Sequence, residues 1–188
     1  MNSSKTLSAQ LNKTLGLQVA VVVVFAAITA LSARVSIPLP FTPVPITLQP
    51  LAVVLSGLVL GARGGAAAQL VYLGLIATGL PLDARALRPA AFFGPTAGYL
   101  IGFVPAAFVA GWLEERFSAQ SWWGNFLAAI AGMLVIYLVG ASWLAVMLGS
   151  MEKAWLGGAA PFILIDLVKA VIAASVAESG KVLFLRQQ

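Results

Sequence analysis

Six apolar stretches, at about 15–37, 48–60, 66–80, 91–113, 123–148 and 161–185, fill most of the 188 residues, and the polar connections between them are short. Most approach the ~20 residues a helix needs to cross a hydrocarbon core about 30 Å thick. The composition fits that environment: 61% of the residues are hydrophobic and 9% are charged, where a soluble domain carries about 25% charge. The pattern predicts an all-α membrane protein: a six-transmembrane-helix bundle with an irregular proline-rich segment between helices 1 and 2. At this length a single domain is expected over 15–188, behind a short cytoplasmic N-terminal segment at 1–14.

The absences narrow the chemistry. There is no cysteine and no histidine, which excludes thiol chemistry, disulfides and the common zinc ligand sets, so no metal site and no cofactor are expected. The side chain best suited to proton shuttling near neutral pH is also missing. The net charge of +5 does not point to nucleic acid, because most of the cations sit at segment ends. No G-x-x-x-x-G-K-[ST] loop occurs, and SGKV around Gly180 lacks the upstream glycine, so no P-loop ATPase activity is expected. Residues 1–14 carry only Lys5 and Lys13, and RVSIPLPF is a poor cleavage site, so no cleavable secretion signal is expected.

An even number of crossings puts both termini on one side. If that side is the cytoplasm it holds Lys5, Lys13, Arg63, Arg116, Lys181 and Arg186, against Arg34, Arg85, Arg88 and Lys153 opposite. The excess of cations favours cytoplasmic termini of a multi-pass membrane protein.

The stretch FTPVPITLQ raises the first question of mechanism. Its prolines force an extended path after the first segment stops at Pro38 and Pro40. The segment that follows is too short to cross the membrane alone, so the proline-rich stretch lies at membrane depth. Irregular backbone is tolerated there only when buried in protein or lining a cavity. FTPVPITLQ is therefore expected to be cavity wall, with Thr47 and Gln49 available as hydrogen-bonding side chains.

Four constellations are candidates for function. In PFILIDLVKA, Asp166 and Lys169 are three residues apart, so they share a helix face and can point into one cavity. Each charge costs about 2.5–3.5 kcal/mol at a membrane-helix centre. A purely structural ion pair is the alternative, but apolar replacements of similar shape often serve stability as well. With a helix starting near Pro161, Asp166 lies about one and a half turns in, a depth suited to a dead-end pocket open to the non-cytoplasmic side. In GPTAGYLIG, Gly94, Gly98 and Gly102 recur every four residues, a smooth stripe for close helix packing; Pro95 fits a first helical turn. Tyr99 in that run can either line a pocket or sit in the interfacial belt. Ala26 and Ala30, with Ala33 one turn on, form a flat face open to internal packing or to an external partner helix. Arg85 and Arg88 in DARALRP are flanking charges by default, and could hold a carboxylate if the pocket opens on their side.

Taken in order and spacing, VPITLQ, GPTAGYLIG and PFILIDLVKA resemble BioY, the biotin-binding S components of energy-coupling-factor (ECF) transporters, over about 26–177. The resemblance implies a six-helix membrane protein, not an enzyme, that captures biotin from outside. A coupling module of two cytoplasmic ATPases and a transmembrane T subunit then drives release inward. It places the family's aspartate and lysine on Asp166 and Lys169, with Thr47, Gln49 and Tyr99 lining the rest of the pocket. The small residues that meet the T subunit map onto Ala26 and Ala30. Where members commonly have a glycine-rich loop this chain has DARALRP, which leaves Arg85 or Arg88 as candidates for the valerate carboxylate. Two readings of other classes stand beside this one. The first is an autonomous proton-coupled secondary transporter using Asp166, against which weigh the lack of an evident inverted repeat and of a second intramembrane carboxylate. The second is a membrane scaffold with a structural Asp–Lys pair.

Overall fold

The computed structural model describes residues 3–117 and 121–185, with side chains over 15–117 and 121–179. Arg186 and the side chains of Lys5, Lys13 and Lys181, used above for orientation, lie outside the described residues.

The chain is mostly helical. Helix α1 spans Ser3–Ser32, and two short strands follow, β1 at Ser36–Leu39 and β2 at Thr42–Thr47. The remaining helices are α2 at Gln49–Ala77, α3 at Ala97–Phe117, α4 at Trp122–Leu148, the short α5 at Met151–Gly158, and α6 at Ile163–Leu185. Among the described residues five helices are long and apolar enough to cross a membrane, counting α5 and α6 as one span.

Two expectations need correction here. The fold is not purely α. The first helix stops at Ser32, not near Ile37, and the chain turns into an antiparallel β1–β2 hairpin that pairs Ser36 with Thr47 and Ile37 with Ile46. The register slips between Ile37 and Leu39, at Pro38, which has no N–H for the ladder. In a two-stranded sheet both strands are edges, so Pro43 and Pro45 are tolerated. The count of long helices is five, not six, because the second and third expected segments form one helical element. That element is broken only at Gly61, whose φ of 74° and ψ of −179° suit a residue without Cβ.

Gly61 nevertheless reverses the chain direction. Gln49 Nε2 donates to Tyr72 Oη at 2.7 Å, and Gln69 Nε2 to Ser56 Oγ at 3.0 Å. Along an unbroken helix Gln49 and Tyr72 would stand about 34 Å apart. The two arms, 49–60 and 62–77, therefore lie antiparallel, with a Cβ on Gly65 only 2.7 Å from Gly57 Cα. On α3, Glu115 Oε1 accepts the Ala62 N–H at 2.9 Å, satisfying one exposed donor at the start of the second arm. Pro50 occupies the first turn of α2, where its missing N–H costs nothing.

The glycine stripe is shorter than its spacing suggests. Gly98 and Gly102 lie on α3 against α4, where a Cβ on Gly98 would sit 2.3 Å from Trp143 Cβ. Gly94 and Pro95 precede the helix, following a 3-10 turn at Arg88–Phe92. On α6 the buried face reads Asp166, Lys169, Ala170, Ala173, Ala174 and Ala177. The alanines let α6 approach Val54 and Leu58 of α2 and Ala128 and Ala129 of α4. Ile165, Val168, Val171, Ile172 and Val176 face outward. The pair thus shares its face with the packing residues.

Candidate functional site

Each polar group of the candidate site is fixed by a neighbouring element. Asp166 falls in the first turn of α6, nearer the helix start than the sequence suggested, so the positive end of the helix dipole favours its carboxylate. Lys169 Nζ donates to Asp166 Oδ1 at 2.5 Å. The Tyr137 hydroxyl of α4 donates to Asp166 Oδ2. The two charged residues are 5% and 4% exposed, deep enough that neither tolerates loss of its partner.

The opposite wall comes from the hairpin and α2. The Gln49 N–H donates to Thr47 Oγ1 at 3.2 Å, which ties the end of β2 to the start of α2. The Gln49 side chain donates to Tyr72 Oη, whose hydroxyl donates to the Leu82 carbonyl at 3.2 Å. Tyr99, on α3, donates to the Gly158 carbonyl at 2.9 Å, linking α3 to α5. Together these groups line a cavity of about 70 Å³, whose apolar wall is Val44, Leu100, Phe103, Ile136 and Phe162.

Of the residues singled out in the sequence, Thr47, Gln49, Tyr99, Asp166, Lys169 and Arg85 line this one cavity. Arg88 does not; it is exposed with a φ of 61°, and its backbone N–H donates to Asp83 Oδ1. Ala26 and Ala30 are buried at 0% and 7%, packed with Val53, Tyr72 and Ile76 of α2. Their small side chains serve contact within this chain. On the other face of α1, Val24, Ile28 and Leu31 are exposed.

Tyr137 is the principal residue the sequence reading missed. A phenol in the middle of the 27-residue α4 is far from either interface, which is the signal that could have found it. Asp83 was missed as well. It is buried on the cavity wall, and its carboxylate accepts the backbone N–H groups of Arg85, Leu87 and Arg88 at 3.1, 3.0 and 2.9 Å. It holds the loop in place at a point where Ala86 and Arg88 both have positive φ.

Chemically, the inner part of the cavity offers the Asp166 carboxylate, the Lys169 ammonium and the Gln49 amide beside apolar side chains, while Asp83 and Arg85 line it from the loop after α2. No cluster of three potential metal ligands occurs among the described residues. Asp166 uses one lone pair of each oxygen and has capacity left, and Lys169 keeps two N–H donors beyond the one given to Asp166. The site can therefore take a small polar ring that both donates and accepts, without exposing either charge.

A helical membrane protein with a buried acceptor–donor pair in an apolar cavity is the architecture of a solute-binding transport subunit. Residues 4–186 match the sequence profile of the BioY family. The "Biotin transporter BioY" of Rhizobium etli is 45% identical over 158 residues, covering 79% of this chain and 84% of the relative. That of Thermotoga maritima is 40% identical over 155 residues, 82% of this chain and 89% of the relative. The "Probable biotin transporter BioY" of Pyrococcus horikoshii is 40% identical over 162 residues, 86% and 94%. The crystal structure of an S-component for biotin from an ECF-type ABC transporter superposes with a TM-score of 0.83 at 25% identity, over 94% of each chain. The chain belongs to the BioY family.

Proposed function

We infer that this protein is the biotin-binding S component of an ECF-type uptake transporter, a binding subunit and not an enzyme. The observation that carries the reading is the buried Asp166–Lys169 pair on a cavity wall, in a chain of this family. The ureido ring of biotin has N–H donors for the Asp166 carboxylate and a carbonyl for the Lys169 ammonium. Bound ring and charged pair thus keep partners in both the empty and the loaded state. Tyr137, itself on the cavity wall, holds Asp166 by its hydroxyl, while Thr47, Gln49 and Tyr99 shape the rest of the ring site.

The wider assignment follows from the same frame. The two arms of α2 each count as one crossing, which makes six in all and returns both termini to one side. We place the termini and 1–14 on the cytoplasmic face of a prokaryotic plasma membrane, with 15–188 as one substrate-binding domain. The cavity then faces outward with Arg34, Arg85 and Lys153. A transmembrane T subunit and two cytoplasmic ATPases supply the energy for release, and lipid covers the outward faces of α4 and α6. The exposed face of α1, through Val24, Ile28 and Leu31, is the natural contact for the T subunit.

The test is equilibrium binding of biotin to the detergent-purified protein, beside Asp166→Asn and Lys169→Ala. Binding by the parent and its loss in both folded variants is expected. A folded parent that does not bind biotin would end the assignment.

A further inference from the structure

Biotin has two ends, and the cavity suits only one. The Asp166–Lys169 pair is already neutral as a unit, and Asp83 is turned to its own loop, so the cation left on the cavity wall for the carboxylate of the ligand is Arg85, on the side shared with a second space. The surplus positive charge lies next door. A recess of about 440 Å³ sits between the β1–β2 hairpin and the connection after α2, and it is lined by Arg34, Ser36, Thr42, Pro45, Ala84 and Arg85 among others. Pro45, Ala84 and Arg85 line the ring cavity too, so the two spaces share a wall.

The two guanidiniums come from separate segments and are each anchored once. Arg34, just past the end of α1, donates from Nη2 to the Pro81 carbonyl. Arg85 reaches the Pro43 carbonyl from Nη1 at 3.5 Å. A guanidinium has five N–H donors in a fixed fork, so most remain available to an anion. Among the described residues neither is ion-paired, and no carboxylate lines the recess. Asp83, beside it in the chain, is turned to the backbone N–H groups of its own loop.

We propose that this recess is a carboxylate subsite, in which Arg34 and Arg85 hold the anionic end of the ligand while its ring occupies the neighbouring cavity. The inference rests on the biotin reading above and extends it to a residue, Arg34, that looks in the sequence like an ordinary flanking charge. Paired forks match a carboxylate with bidentate geometry, and both arginines are exposed, so the contact weakens with added salt.

The experiment compares biotin with biotin methyl ester, which keeps the ring and removes the charge, on the parent, Arg34→Gln, Arg85→Gln and the double variant in low-salt detergent. The parent is expected to bind biotin about tenfold or more tighter than the ester. Each substitution lowers affinity for biotin and leaves affinity for the ester unchanged, and that unchanged affinity certifies the fold. Arg88→Gln, whose residue lines neither space, changes neither. A parent that binds both ligands equally overturns the subsite while leaving the ring site intact. So does a variant that loses both ligands alike, since that marks a structural role for the arginine. A parent that binds neither ligand overturns the biotin reading and this inference with it.

Discussion

Replacing Lys169 with Met removes the ammonium while keeping a flexible chain of similar length. Asp166, 5% exposed, is left with the Tyr137 hydroxyl as its side-chain donor, facing Phe103, Ile136 and Phe162 across the cavity. Breaking one side of a buried pair costs about 3–5 kcal/mol, and the retained Tyr137 bond puts the expectation near the lower end. In a chain of this length each kcal/mol moves Tm by about 2–4 °C, so Lys169→Met should melt roughly 6–12 °C below the parent. The double variant Asp166→Asn/Lys169→Met removes both charges and leaves an amide oxygen for Tyr137. Most of the lost stability should return, because an absent pair costs far less than half of one.

Thermal unfolding in one detergent, with and without biotin, reads both effects. At about 100 times Kd the ligand stabilises the parent by about 2.7 kcal/mol, or roughly 5–11 °C. Neither variant should respond. Two results would refute the reasoning. A double variant that still gains stability from biotin shows that the pair is structural and the ligand sits elsewhere. A single variant as stable as the parent shows that Asp166 was never held as a buried charge.

Four further outcomes are expected. Tyr137→Phe strips the donor from Asp166 Oδ2 and should weaken biotin binding about tenfold, measured by titration calorimetry, because a buried acceptor loses about 1–3 kcal/mol with its partner; unchanged affinity would remove Tyr137 from the site. Gly140→Ala places a Cβ 2.3 Å from Tyr99 Cδ1, pushing the ring toward the cavity, and should lower both Tm and affinity, with overpacking costing about 1–3 kcal/mol. Gly57→Leu should abolish a folded monodisperse peak in size-exclusion chromatography, since even a Cβ there meets the Ala107 carbonyl oxygen at 2.3 Å and Gly111 N at 2.9 Å. Gly16→Ala, with nothing within 4 Å of the added carbon, should be neutral or gain a few tenths of a kcal/mol from helix propensity.

What could be read from the sequence divides along a physical line. In a membrane the lipid-facing and packing faces of a helix are both apolar, so periodicity says little about which way a side chain points. Ala26 and Ala30 suit an internal helix and an external one equally well, and only the position of α2 shows that the chain uses them itself. GARGG marks a break in hydropathy correctly. It gives no sign that one glycine is enough to fold α2 back on itself, because that depends on contacts such as Gln49 with Tyr72, 23 residues apart. Proline, by contrast, acts on local sterics alone, so the extended character of the stretch before α2 was legible, while its pairing with 36–39 into a hairpin was not.

Groups that water would normally solvate are legible by their displacement. Asp166 and Lys169 stand out because charge is costly in an apolar run and three-residue spacing puts them on one face. Tyr137 escaped notice because a phenol passes for an aromatic in a hydropathy count, although its hydroxyl needs a buried partner as surely as the carboxylate does. Arg34 escaped for the opposite reason, since a cation at a helix end is what any membrane protein shows. It gains meaning only beside Arg85, 51 positions away in numbering (85 minus 34) yet lining the same recess. Single residues out of place therefore point to the Asp166–Lys169 cavity, whereas the proposed carboxylate subsite rests on two charges that only the fold brings together.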